Sequence, residues 1–301
     1  MKKIITLFLI VSFIAAALAA CKTAVALPAS VENPGKGPEL SVTIPELFSP
    51  NPDIADDKMT IKIDLKHPAP IKDWKITIQP VRNTTGQAAA GGSQRADGQQ
   101  RQPRAPFFEV IGTGNPPKEW QWNGKSSRPT GEIVTSASAY RFVLSVNDNF
   151  DNSTEFEGEI HVDVLVRREG NDLRIIVPSI VFPANLADLN RVTNEDDVRS
   201  NRRVLRLIAN ALSKYPDYSV TVEGHANPTT PEGTQRNNEL AALRRVSNDR
   251  ASAVIDYLVA NHNINRQRLR SVGIGGERTV AAYDDTEENW KNRRVEFLLH
   301  K

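Results

Sequence analysis

The hydrophobic period of this chain changes once, near residue 168, and that change limits what it can fold into. From Leu40 to about Arg168 the apolar residues alternate in short runs, at Met59–Leu65, Trp74–Ile78, Tyr140–Val146 and Glu159–Val166. Alternation with period two marks strands that bury one face. Turn residues punctuate these runs at Asn123-Gly124, Pro129-Thr130-Gly131 and Asn147-Asp148-Asn149, and no amphipathic helix intervenes. A β-sandwich follows from that pattern. From Glu169 onward strands alternate with helices. Leu173–Val177 and Ile180–Phe182 read as a first strand, Asp196–Tyr215 as a helix, Tyr218–Glu223 as a strand and Glu239–Asn261 as a longer helix. Leu269–Ile274 and Val295–Leu299 supply two more strands, with Asn289–Asn292 helical between them. Val204, Leu205, Ile208, Ala211 and Leu212 fall on one face of the first helix; Leu240, Leu243, Ser247, Ala251, Val254, Ile255 and Leu258 fall on one face of the second. The fold class is therefore α+β: a sandwich over 40–168, then a β-α-β-α-β-(α)-β domain over 169–301 whose mixed sheet carries its helices on one side.

The first twenty residues have the organisation of an export signal. Lys2 and Lys3 precede an apolar run, Ile4 to Ala17, and small residues Ala19 and Ala20 precede Cys21. The run is shorter than the roughly 20 residues that cross a bilayer. Leu18-Ala19-Ala20-Cys21 resembles the lipobox of bacterial lipoproteins, in which the cysteine becomes the acylated N-terminus. The chain has one cysteine, and it stands where that motif requires it. Acyl chains at about 0.8 kcal/mol per buried methylene would hold such an end in a membrane. Lys22 in the next position lacks the aspartate associated with inner-membrane retention, which favours the outer membrane. Residues 21–39 mix Pro, Gly, Ala and Ser without period, a flexible tether able to reach roughly 60 Å.

Composition removes several function classes. One cysteine excludes an intramolecular disulfide and a thiolate metal cluster. Lys+Arg total 38 against Asp+Glu 36, and Lys2 and Lys3 account for the excess, so the chain from Cys21 onward has no field to gather nucleic acid. The five histidines are dispersed, and no His-Glu-x-x-His, Gly-x-Ser-x-Gly or Ser-x-x-Lys constellation has its needed context, so no enzyme, cofactor or metal is expected. Asp53, Asp56 and Asp57 read as a solvated turn before they read as calcium ligands. Residues 83–106, rich in Gln, Ala, Gly and Arg, have no apolar face and are expected to form a disordered insert.

Two resemblances carry the functional expectation. Phe48-Ser-Pro-Asn-Pro-Asp53 and Trp120-Gln-Trp-Asn-Gly124 resemble the immunoglobulin-like domain of the flagellar hook-capping protein and related surface modules, which implies interaction or spacing and a possible envelope protein partner. Val222-Glu-Gly-His225, the segment Ser247–Leu258 with its Arg250-Ala251, Arg268–Gly276 and Asn292-Arg-Arg-Val-Glu296 resemble the OmpA-like C-terminal domain shared with the peptidoglycan-associated lipoprotein and MotB. That resemblance implies noncovalent binding of the peptidoglycan stem peptide by a periplasmic domain. In the family an aspartate after Gly-His and the arginine of Ser-x-x-Arg-Ala hold the ammonium and the carboxylate of a diamino acid. Arg250 matches the arginine. The aspartate position reads Asn227, in a loop about eight residues longer than usual, and a neutral amide loses the charge that makes such bonds about twice as strong. Glu232 or Glu239 is a candidate compensating acid. Asn185 matches a position near the ligand or caps the turn after the first strand. His225 reads as a strand-end histidine beside the ligand, and Arg293 and Arg294 as pocket floor, or one of them as anchor of the last strand. The expectation is an acylated outer-membrane protein gripping the cell wall, with an interaction scaffold that has altered or lost wall binding as the alternative.

Overall fold

The structure, a computed structural model, describes residues 32–50, 57–81, 105–183, 186–286 and 288–301. Cys21, Asp53, Asp56, Asn185 and the insert up to residue 104 lie outside the described residues.

Among the described residues, seven strands build the N-terminal part. β1 (Glu39–Thr43), β2 (Met59–Lys66) and β5 (Glu119–Trp122) form one sheet, and β4 (Phe108–Thr113), β3 (Ile71–Pro80), β6 (Ala139–Asp148) and β7 (Ser153–His161) form the other. All pairings within them are antiparallel. The alternation that marked the strands is the burial pattern: Met59, Ile61 and Ile63 of β2 and Tyr140, Phe142, Leu144 and Val146 of β6 point into a single core. Aromatic rings fill it, with Trp122 close to Phe48, Phe107, Phe108 and Tyr140 at centroid distances of 5.8, 6.3, 5.8 and 6.5 Å. The polar tips are satisfied: Trp122 Nε1 donates to Lys125 O, and the Tyr140 hydroxyl accepts from Thr135 N–H. The expected insert connects β3 to β4.

The run Glu159–Val166 is not one strand. β7 ends at His161, and β8 (Val166–Glu169) pairs with β9 (Asp172–Val177), so the strand pairing of the second domain's sheet takes in Val166–Glu169. This sheet runs β8-β9-β12-β10-β11, with β12 (Val295–His300), β10 (Ser219–His225) and β11 (Leu269–Gly275). β10 and β11 are parallel and the other pairs antiparallel, a mixed sheet. Helices α1 (Glu195–Ser213) and α2 (Thr234–His262) pack on it through Val204, Leu205, Ile208 and Leu212, and through Ala251, Val254, Ile255 and Leu258. Asn194 caps α1 by accepting from the N–H groups of Asp196 and Asp197, and Asn263, left-handed at φ 54, ends α2. Asn289–Asn292 is a short 3-10 turn. Ile180–Phe182 is not a strand: Asn201 of α1 takes both the N–H and the C=O of Val181, so the segment lies along the helix.

The two parts touch. Ala137 of the sandwich is buried in the second core, Ser179 Oγ donates to Ala137 O at 2.9 Å, and Lys291 lies 3.4 Å from Glu132.

Candidate functional site

The C-terminal end of β10 opens on a cavity of about 110 Å³. Its walls come from five places in the second domain and from the sandwich. Gly224 and His225 end β10, and Arg293, Arg294 and Val295 lead into β12 beside Trp290. Arg250 projects from α2, Ser200 and Arg203 project from α1, and Pro178 to Phe182 follow β9. The sandwich closes one side with Val81, Ser138 and Ala139.

Four of the residues expected at a site therefore come together: Arg250, His225, Arg293 and Arg294. Arg250 lies over the Phe182 ring at 5.1 Å and donates through Nε to Leu186 O at 3.1 Å and through Nη2 to Pro183 O at 3.4 Å. Stacking and carbonyl bonds fix a guanidinium without neutralising it. Burial pulls its pKa below the ordinary value, and the nearby charge of Arg293 adds to this. Burial does the same to Arg293 and to Arg203. Arg203 was not expected here, because nothing in sequence separates it from Arg199, Arg202 and Arg206 on the same helix. Among the described residues that line the cavity there is no Asp or Glu.

Asn227, Glu232 and Glu239 are elsewhere. Asn227 Nδ2 donates to Pro228 O and Tyr283 O, each at 2.9 Å, and its Oδ1 accepts from Asn292 Nδ2 at 2.8 Å. The amide ties the loop after β10 to the 3-10 turn, with both its donors and one lone pair of its oxygen in use. Glu239 receives the N–H and hydroxyl groups of Thr229 and Thr230. Burial raises its pKa, but these bonds outweigh it and hold the carboxyl low. Glu232 is exposed in the loop.

Beside the cavity, on the sheet face away from the helices, Glu223 and Glu296 stand directly opposite each other on β10 and β12, with His225 Nε2 at 3.7 and 3.6 Å from their oxygens. The ligand atoms of these three residues lie within 4.8 Å of one another, as a shared cation would require. Guanidinium groups already hold the carboxylates: Arg278 Nη1 donates to Glu223 at 3.0 Å, Arg294 Nε to Glu296 at 2.6 Å, and Arg174 also pairs with Glu296. Proximity to His225 lowers Glu223 first, against the cost of burial, with Arg278 adding to it. Burial raises Glu296, and Arg294, His225 and Arg174 outweigh it. Both carboxylates are already matched by guanidiniums, so the cluster offers no net negative charge to a further cation.

Comparison with known proteins decides what domain this is. Residues 194–293 match the model of the OmpA family. The C-terminal domain is OmpA-like. The peptidoglycan-associated lipoprotein of Agrobacterium fabrum is 34% identical over 122 residues, 39% of this chain and 63% of that protein. Its namesake in Rhizobium meliloti is 38% identical over 88 residues, 29% of this chain and 45% of that protein. The outer membrane porin F of Pseudomonas aeruginosa is 37% identical over 92 residues, 31% of this chain and 24% of that protein. The chain thus spans less than two thirds of the length of these curated relatives. Among solved structures, the periplasmic domain of Helicobacter pylori MotB covers 46% of this chain and 79% of its own length, at 19% identity and a TM-score of 0.36.

Proposed function

We propose that this protein binds peptidoglycan noncovalently through the arginine-lined cavity of its OmpA-like domain and, anchored by an acylated Cys21, holds the outer membrane to the cell wall from the periplasmic side. The observation that carries the reading is the convergence of Arg250, Arg293 and Arg294 with His225 on one cavity at the end of β10. Stem peptides end in carboxylates, and a desolvated guanidinium is the side chain that binds a carboxylate most strongly, through paired N–H donors. The names of the relatives, peptidoglycan-associated lipoproteins, support the same reading. The sandwich then serves as a spacer or as a dock for an envelope protein. Sedimentation with purified cell wall tests it: the full chain pellets, and Arg250→Ala lowers the pelleted fraction by about tenfold or more, the loss expected when one charge-assisted pair is removed. A wild-type chain that stays in the supernatant would sink the proposal.

A second reading, an interaction scaffold whose domain no longer grips the wall, has one observation in its favour. The family's aspartate position holds a neutral amide tied to Pro228, Tyr283 and Asn292, so the charge behind the usual contact to an ammonium is missing there.

A further inference from the structure

The wall-binding reading leaves open which end of a ligand the cavity recognises, and the charges around it answer that. Arg203, Arg250, Arg293 and Arg294 line it with no acid among the described lining residues. The acids nearby are committed elsewhere. Glu296 pairs with Arg294 and Arg174, Glu223 pairs with Arg278, and Glu239 braces Thr229 and Thr230. Glu159 acts on Arg203 from the sandwich side without lining the cavity.

Donors remain unused on two different elements. Arg294, only 6% exposed, uses Nε on Glu296 and leaves a buried Nη1 with no partner. Arg203 on α1 leaves a buried Nη1 in the same state. A buried N–H without an acceptor is costly and calls for one. Arg250 and Arg293 form a second charged group on the same cavity, near enough that the charge of Arg293 disfavours that of Arg250. One carboxylate saturates one such group. An ammonium brought among four guanidiniums would meet only like charge.

We propose, on the basis of that wall-binding reading, that the cavity recognises a dicarboxylate end of its ligand and leaves the side-chain amine of a diamino acid unread. The carboxylates sit among the guanidiniums of Arg203, Arg250, Arg293 and Arg294, with Ser138 and Ser200 also lining the cavity. Specificity then lies in the number and spacing of carboxylates, and wall peptides whose amine is free, acylated or cross-linked are bound alike.

Calorimetry of the full chain tests this with three versions of one peptide, L-alanyl-γ-D-glutamyl-diaminopimelate: unmodified, acetylated on the free side-chain amine, and amidated on both diaminopimelate carboxylates. Acetylation is expected to change Kd by less than about threefold, and amidation to weaken binding by about tenfold or more. Arg203→Gln, which touches neither Glu223 nor Glu296, should weaken the unmodified and acetylated peptides equally. A tenfold loss on acetylation, or an unchanged Kd on amidation, overturns the proposal. Glutarate and a wall-pelleting assay run alongside separate the two levels. Pelleting with strong dependence on the free amine overturns the dicarboxylate assignment and keeps wall binding. Glutarate binding that Arg203→Gln abolishes, without pelleting, supports the assignment and overturns wall binding.

Discussion

The Asn227 amide shows what one hydrogen-bonding residue does when its neighbours change. It donates to two carbonyls and accepts from Asn292, whose own Oδ1 accepts from the N–H groups of Val280 and Ala281. The residue is thus the hinge pin of a network that holds residues 280–292 against the end of β10. Replacing it by aspartate has a definite sign. In Asn227→Asp the donors to Pro228 O and Tyr283 O vanish and a carboxylate faces both oxygens. We expect a loss of about 2–3 kcal/mol at neutral pH, from two forfeited bonds and an unsatisfied acceptor pair. Protonation of the new carboxyl should recover part of it in acid. Urea unfolding at two pH values measures this; unchanged stability with stronger wall pelleting would show that the side chain is free to serve a ligand.

At the scale of elements, the position of the cavity depends on how closely α2 lies on β10 and β11. A Cβ built on Gly224 would stand 1.9 Å from Ser247 O, and one on Gly273 2.1 Å from Arg244 O; the helix backbone occupies the space a side chain would need. Ser247, fully buried, accepts from Gly275 N–H and seals the contact. Arg250 lies one turn further along α2, so the glycines set its distance from β10. Gly224→Ala is expected to cost about 3 kcal/mol or more, at the upper end of overpacking because the clash is with backbone, and to lower wall pelleting in molecules that remain folded. A urea midpoint equal to wild type would show that the helix yields freely. The same elements show where sequence is informative. Period and caps locate α1 within two residues, since its buried face runs almost its whole length. The start of α2 was placed five residues late, at Glu239, because Thr234–Asn238 are polar and exposed or half-buried, apart from any apolar face, with Arg236 stacked over Tyr283 at 5.0 Å. Ile180–Phe182 has strand-like residues, but its hydrogen bonds go to a helix side chain. Arg250 was legible through its motif, whereas Arg203 and the facing pair Glu223 and Glu296 depend on pairings between segments far apart in the chain, which no local period encodes.

Across the whole molecule, the two cores are joined through Ala137, Ser179 and the Lys291–Glu132 pair, and each domain carries a buried carboxylate that must stay ionised. In the sandwich Asp148, fully buried, has His67 Nε2 2.8 Å from its Oδ2 and accepts from Phe150 N–H, Asn152 N–H and the Asn152 amide. Burial alone would raise its pKa; these bonds outweigh it and hold the carboxyl well below the ordinary value. In the second domain Glu223 and Glu296 are lowered as described. A carboxyl whose folded pKa lies below its unfolded value stabilises the fold at every pH above the unfolded value, near about 4, and that stabilisation disappears as pH falls toward the folded pKa. Both domains should therefore lose stability steeply below about pH 4, and the sandwich should show a shallower loss beginning at about pH 6, where His161, whose pKa burial lowers, is protonated more readily in the unfolded chain. Asp148→Asn separates the contributions: it lowers the neutral midpoint, because an amide cannot accept all four bonds, and it flattens the acid slope of the sandwich while the slope of the second domain, followed by an amide probe in β12, stays. Equal acid slopes in the variant and the parent sandwich would mean that Asp148 is protonated together with ordinary surface acids and that its hydrogen bonds do not hold the charge.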